Sequence, residues 1–301
     1  MKNINIGVPQ GSILGPLLFL LYVNDLPTIS SNLNFIQFAD DTSIFIKGKS
    51  LIDISQTMSS EMINVTEWLR NNMLTLNLSK TKCMVMTSRG KRYNDTECNI
   101  IVENVTIELV TNYKFLGVVL DDKFTWKLHI NHVTSKVSRG LGILLKARRI
   151  LDKDSLITLY NALIKPYFTY CLTIWGNTFK SYLKKLETLQ KKIMRIITFS
   201  EYTAHTAPLF RKLKIMATTQ LYEYFSCIHI YKGVKCIVPK LFWGDFILSK
   251  TKRNPLNLQP KFYSKNICTT VKIWNKLPKV LQNAKSIQYF KYKLRKYILT
   301  S

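Results

Sequence analysis

Two aspartates stand side by side in Phe38-Ala39-Asp40-Asp41-Thr42, with short apolar runs on either flank. Adjacent carboxylates on a tight turn raise one another's pKa, and a divalent cation removes that conflict. Mg2+ takes a few carboxylates, keeps several waters and completes its shell with substrate phosphates, so the pair suits a metal shared with a nucleotide. Asp-Asp-Thr is equally an ordinary solvent-facing turn, and these residues alone leave both readings open. Upstream, Gln10 in the glycine-flanked Gly7-Val8-Pro9-Gln10-Gly11-Ser12 reads by itself as a turn residue bonded to the backbone. Ser12 is no nucleophile candidate, because neither His129 nor His132 completes a triad arrangement. Lys80 and Lys82 by themselves read as solvated loop lysines. The six cysteines contain no C-x-x-C pair, which fits reduced thiols better than a disulfide framework or a zinc ribbon.

These groups need elements to hold them. Phe35 to Phe38 and Ser43 to Ile46 read as strands, which puts Asp40 and Asp41 at a hairpin tip. Ile13 to Asn24 reads as a buried helix begun beside Gly15-Pro16. Apolar residues at Ile54, Met58, Met62, Val65, Leu69 and Met73 predict an amphipathic helix over 52–73. Further strands are expected over 74–78, 82–87, 99–110 and 113–120, and together these elements predict α+β structure with an antiparallel sheet. Downstream the pattern turns helical over 126–149, in a helix capped by Asp154 or Ser155, over 180–198 and from Ser286 onward, with a loose, irregular stretch from Pro208 to 285. The 180–198 helix is the clearest: Leu183, Leu186, Gln190, Ile193 and Ile197 follow one seam. Lys184, Lys185, Lys191, Lys192 and Arg195 cluster opposite as a cationic rail.

The chain has 301 residues and a formal net charge of +26, carried with 47% hydrophobic and 12% aromatic residues. Such a chain can build a core, so the charge marks a partner rather than disorder. The charge is unevenly placed. Residues 1–120 hold 10 Lys+Arg and 10 Asp+Glu, whereas residues 121–301 hold 34 and 8. That asymmetry predicts a polyanionic partner for the second part, nucleic acid in preference to a membrane surface, because the apolar stripes of its helices are needed for a core. No stretch approaches the roughly 20 apolar residues that span a bilayer.

The order of motifs adds a resemblance. Gly7 to Phe19 (GVPQGSILGPLLF) followed by Phe38-Ala39-Asp40-Asp41 resembles the reverse transcriptases of non-LTR, LINE-like, jockey-type retrotransposons. In the same order, Trp68-Leu69 through Asn77-Leu78-Ser79-Lys80-Thr81-Lys82 is similar to that family's next palm motif, and Tyr113 to Val118 (YKFLGV) to its primer-grip strand. Tyr160 to Pro166 with Tyr170 and Trp175-Gly176 resembles its thumb, and Trp274 to Pro278 its closing segment.

The resemblance implies RNA-directed DNA polymerase activity with a two-metal Mg2+ site, an RNA template, a DNA primer or RNA/DNA hybrid, and deoxynucleoside triphosphates. Asp40 and Asp41 would be catalytic metal ligands, and Lys80, in preference to Lys82, would assist the leaving pyrophosphate. Pro9, Gln10, Gly11 and Ser12 would meet nucleotide or template, and Phe115, Leu116 and Gly117 would press the primer end toward the metals. The rail of Lys184, Lys185, Lys191, Lys192 and Arg195 would hold the nucleic-acid backbone. The implied architecture is a partial palm over 1–120, a helical thumb over 121–200 and a basic C-terminal region over 201–301, in an intracellular protein that is nuclear during integration. Family members carry another metal-binding aspartate on an earlier palm strand and a fingers domain before it, whereas residues 1–24 contain no Asp or Glu. The expectation is therefore a C-terminal fragment, inactive alone; the alternative is a non-catalytic remnant that grips an RNA/DNA duplex.

Overall fold

The structure, a computed structural model, describes residues 11–88, 90, 93–94, 97–238, 246–248, 257–260 and 265–300. It divides into two compact units, one of residues 1–113 with 121–124, the other of 114–120 with 125–301.

In the first unit, α1 (Gly15–Tyr22) begins at Pro16, whose missing N–H costs nothing in a first turn. Its segment GPLLFLLY is apolar on every side, and the expected burial is not found: none of its residues is buried, and Leu17 and Leu21 are 55% and 66% exposed. A helix without a polar face needs cover all round, and the core of this unit gathers elsewhere. After a short 3-10 turn (Leu26–Ile29), β1 (Asn34–Phe38) and β2 (Asp41–Phe45) pair antiparallel. Helix α2 (Leu51–Asn71) starts where Ser50 Oγ accepts the Asp53 N–H at 3.3 Å, a side-chain cap for a free helical amide. Its Met62 and Val65 join Leu26, Leu33, Ile100, Val102 and Ile107 in the core, with Phe35 and Ile44 of the hairpin and Leu76 and Leu78 packed against them.

The remaining strands are shorter than the apolar pattern implied, and they do not form one antiparallel sheet. Residues 74–77 are irregular, and the structure has β3 (Lys82–Cys83), β4 (Ile101–Val102), β5 (Val105–Thr106), β6 (Glu108–Leu109), β7 (Asn112–Phe115) and β8 (Val118–Asp121). Among the described residues they pair only two by two, and β3 runs parallel to β6. Turns cause the division. Glu103 and Asn104 have φ of +49° and +62°, and Leu116 and Gly117 of +44° and +83°. Two consecutive left-handed residues reverse a strand in the sense that matches its twist, so each apolar run folds back on itself.

The second unit is helical: α3 (Lys127–Ala147), α4 (Lys153–Leu163), α5 (Lys165–Thr169), α6 (Leu172–Trp175), α7 (Lys180–Ile197), α8 (Thr206–Leu213), α9 (Thr218–Val234), α10 (Lys265–Asn275), α11 (Lys279–Gln282) and α12 (Ile287–Thr300), with a small ladder of β9 (Phe246–Leu248) and β10 (Leu258–Pro260). The cap of α4 is Asp152, whose Oδ1 accepts the Ser155 N–H at 3.1 Å, two residues earlier than expected. Helix α3 packs along α7, and α9 packs against α10 and α12. One core joins them, with Tyr160, Phe168, Trp175, Tyr231, Trp274 and Phe290 fully buried. The stretch read as loose after Pro208 in fact contains α9, which buries Leu221, Tyr222, Cys227, Ile228, Ile230 and Tyr231. Its polar residues Gln220, Glu223, Ser226, His229 and Lys232 recur every third position and so spread around the helix, which leaves it without the one-faced periodicity that marks a surface helix.

Candidate active site and nucleic-acid surface

The carboxylate pair sits on a tight hairpin turn of the first unit. Phe38 and Asp41 are the last opposed pair of β1 and β2, which leaves Ala39 and Asp40 as a two-residue loop. Ala39 takes φ of +51°, a conformation that a residue with a Cβ enters at some cost, and the two flanking strands hold it there. Asp40 lies in the loop, Asp41 opens β2, and both are exposed. Opposed residues share a face, so Asp41 projects to the side of Phe38 and Ile36, which are 61% and 51% exposed, while Phe35 and Ile44 face the core.

The hairpin is braced behind its tip. Gln37 Nε2 donates to the Val23 carbonyl at 3.2 Å, and the Tyr22 hydroxyl donates to the Asn72 carbonyl, tying α1 to the end of α2. Asp25 accepts the Trp68 indole N–H at 3.3 Å. Among the described residues no three His, Cys, Asp or Glu side chains come together as a metal site. Asp40 and Asp41 thus form a two-carboxylate donor set open to solvent, which suits Mg2+ only if water and phosphate oxygens fill the rest of its shell.

Lys80 and Lys82 part company in the structure. Asn77 Oδ1 accepts the Lys80 N–H at 3.1 Å and the Ser79 hydroxyl at 2.7 Å, a local turn that leaves Lys80 exposed. The Lys82 ammonium is paired with Glu108 at 2.5 Å, across β3 and β6. Lys80 is therefore the lysine available to an anion. Of the upstream group, Pro9 and Gln10 lie outside the described residues. Gly11 has φ of +86°, and Ser12 Oγ accepts the Gly15 N–H at 3.1 Å, which makes Ser12 part of the start of α1.

The second unit holds the other candidates. Phe115, Leu116 and Gly117 do not continue a strand: Phe115 ends β7, and Leu116 and Gly117 make the turn into β8. The Tyr170 hydroxyl donates to the Leu116 carbonyl at 2.6 Å, and a Cβ on Gly117 would stand 3.4 Å from Tyr170 Cε1, so Tyr170 holds this turn from the helical side. That contact joins positions 54 apart and had no signal in the sequence. Behind the turn, buried His129 accepts the Val119 N–H on Nδ1 at 3.2 Å, and its ring meets Trp175 edge-on at 5.4 Å. Burial, and secondarily the charge of His132, pull its imidazole down to about 4, so it stays neutral at physiological pH.

On α7, Leu183, Leu186, Gln190, Ile193 and Ile197 are buried as the seam requires, while Lys184, Lys185 and Lys191 are exposed and Lys192 is half-buried. Arg195 has a structural task as well: its Nε donates to the Ala204 carbonyl at 2.9 Å, and its guanidinium lies 5.8 Å from the Tyr202 ring centre. No described helix is long and apolar enough to cross a membrane.

Comparison with known proteins agrees with the family resemblance. Residues 2–120 match the family of the reverse transcriptase (RNA-dependent DNA polymerase). The probable RNA-directed DNA polymerase from transposon X-element of Drosophila melanogaster is 29% identical over 220 residues, which cover 71% of this chain and 24% of that protein. The RNA-directed DNA polymerase from mobile element jockey of the same species is 28% identical over 226 residues, again 71% and 24%. The probable polymerase from its transposon BS is 26% identical over 224 residues. The chain thus spans about a quarter of the length of these curated relatives. No solved structure matches it significantly.

Proposed function

We propose that this chain, which resembles the RNA-directed DNA polymerases of jockey-type mobile elements, is the segment of a non-LTR reverse transcriptase that carries two catalytic carboxylates and holds the primer-template duplex. The observation that carries the reading is Asp40-Asp41 at the tip of a two-residue hairpin, within the stretch that matches the reverse transcriptase family. In this reading the first unit is the back part of the palm, and the second is the thumb with a basic C-terminal region. Asp40 and Asp41 would hold Mg2+ together with nucleotide phosphates, and the metal would supply charge stabilisation for displacement of pyrophosphate by the primer 3′-hydroxyl. Lys80 lies free to meet that leaving group. The Leu116-Gly117 turn, held by Tyr170, presents backbone to the primer end, and Gln10 and Gly11 meet template or nucleotide. Lys184, Lys185, Lys191, Lys192 and Arg195 grip the backbone of an RNA/DNA hybrid, inside the cell and at a chromosomal target.

Two adjacent carboxylates supply less negative charge than a two-metal site needs, and no third acidic group joins them among the described residues. In this reading the chain alone binds hybrid and does not extend it. Four or five phosphate contacts predict that affinity falls by roughly 150- to 500-fold between 50 and 200 mM salt. Affinity that stays flat with salt, or that is unchanged when Lys184, Lys185 and Lys191 become alanine, would refute the grip. Incorporation of nucleotides by this chain with Mg2+, abolished by Asp40→Ala, would overturn its being inactive alone.

A further inference from the structure

From residue 246 to the C-terminus the chain holds 13 Lys+Arg and no Asp or Glu, and α12 is the longest described helix of this stretch. One face of α12 is committed to the core. Phe290, Leu294 and Ile298 are buried at spacings of four, and Phe290 stacks on Tyr231 with ring centres 4.3 Å apart and a 14° tilt. Ser286 Oγ accepts the Tyr289 N–H at 3.2 Å, and Gln220 Nε2 donates to the Ile298 carbonyl at 2.9 Å, so both ends of the helix are tied down.

At about 3.6 residues per turn, Tyr289, Tyr292 and Lys296 lie opposite that stripe, and Lys293 flanks them on the Tyr289 side. All four are exposed, the tyrosines at 46% and 55%. The Lys293 ammonium lies 5.5 Å from the Tyr289 ring centre, and that of Lys296 4.5 Å from the Tyr292 ring centre. Each tyrosine thus stands beside a cation one turn further on, and a hydrogen bond from Lys296 with its charge lowers the Tyr292 hydroxyl pKa. Arg295 faces elsewhere, with a guanidinium N–H donated to the Lys214 carbonyl at 3.2 Å.

Aromatic rings exposed at such a face lose solvent-ordering cost when a planar group covers them, yet the surrounding charge excludes a cationic or purely apolar partner. A partner that offers flat π-faces and a negative charge at each repeat fits both features, and single-stranded nucleic acid is that partner. In a duplex the bases are already stacked on one another and offer only phosphates. We propose that the Tyr289, Tyr292, Lys293 and Lys296 face of α12 is a binding site for single-stranded RNA or DNA, in which unpaired bases stack on the two rings and the lysines meet the intervening phosphates. The site uses residues other than those proposed to hold the hybrid, and it stands or falls independently of polymerase activity.

The test is fluorescence anisotropy of the full chain with a labelled 12-nucleotide oligo(dT), with a blunt duplex of the same length as the second probe. Changing Tyr289→Leu and Tyr292→Leu together should weaken single-strand binding at least tenfold and move duplex binding less than twofold. Tyr289→Phe with Tyr292→Phe should retain binding within about threefold, since the ring is kept. Lys293→Ala and Lys296→Ala should each lower the salt slope by about 0.7. Both tyrosines are exposed, so the melting curve of each variant should match the parent protein. Wild-type affinity in the Leu variant, equal losses for single strand and duplex, or equal damage from Phe and Leu would overturn the proposal. So would preferential capture by vesicles of anionic phospholipid over the oligonucleotide.

Discussion

Gln190 lies in the apolar seam of α7, yet it is 1% exposed and makes four hydrogen bonds. Its Oε1 accepts the Thr218 backbone N–H at 2.9 Å and the Thr218 hydroxyl at 3.0 Å. Its Nε2 donates to the Met216 carbonyl at 3.0 Å and to the Tyr160 hydroxyl at 3.3 Å. Thr218 is the first residue of α9, so one side chain satisfies the opening amide of the central helix from the neighbouring helix. Replacing Gln190 with leucine removes all four bonds at nearly constant volume. It takes these bonds from the Thr218 N–H, the Thr218 hydroxyl, the Met216 carbonyl and the buried Tyr160 hydroxyl, at about 1–3 kcal/mol for each group left fully orphaned. Leucine returns about 1.5–3 kcal/mol through apolar burial, and the groups relax together, so the expected net loss is about 2–5 kcal/mol. At roughly 2–4 °C per kcal/mol, calorimetry or circular dichroism of Gln190→Leu should show the Tm of the helical unit falling by about 4–20 °C. Thr218→Val on that background should cost less than it does alone, because the hydroxyl it removes has already lost its acceptor. A loss under about 1 kcal/mol, or strictly additive single and double variants, would refute the idea that Gln190 fastens α9.

Two other perturbations follow from the same core. A Cβ on Gly140 of α3 would stand 2.5 Å from Ile164 Cγ1, so Gly140→Ala should destabilise by about 1–3 kcal/mol despite the better helix propensity of alanine. Urea denaturation checks this, and the penalty should shrink when Ile164 is also made alanine; an unshrunk penalty would discard the clash. For His129 the folded imidazole is held near 4 against an ordinary 6.5, so the unfolded chain takes the proton first. Its contribution is complete above about pH 6.5 and is lost as pH falls toward 4, by up to about 3 kcal/mol. Its NMR signal should not titrate between pH 8 and 5, and a midpoint near 6.5 would refute the assignment of burial as the cause.

How much was legible can be judged from particular residues. The 180–198 helix, the amphipathic α2 and the Asp40-Asp41 hairpin were readable because periodicity and a short turn are local properties of a chain. The strands were overextended, since Glu103-Asn104 and Leu116-Gly117 reverse the chain inside runs that contain apolar residues throughout. Helix α9 was hidden because its polar residues spread around it instead of gathering on one face. The carboxylates themselves were named from their spacing, but their donors' neighbours were not.

By itself the sequence determined which chemistry this chain carries: an acidic pair on a turn, a balanced first part, and an excess of 26 positive charges confined to residues after 120. Composition and order suffice for that, because charge and motif spacing survive any folding. Tertiary structure decided the assignments among equivalent side chains. It spent Lys82 on Glu108 and left Lys80 exposed, gave Arg195 to Ala204, fastened Leu116 through Tyr170, and turned the apolar stripe of α12 inward so that Tyr289 and Tyr292 face out. Each of those outcomes depends on which distant group a side chain meets, and such meetings follow from packing rather than from neighbours along the chain.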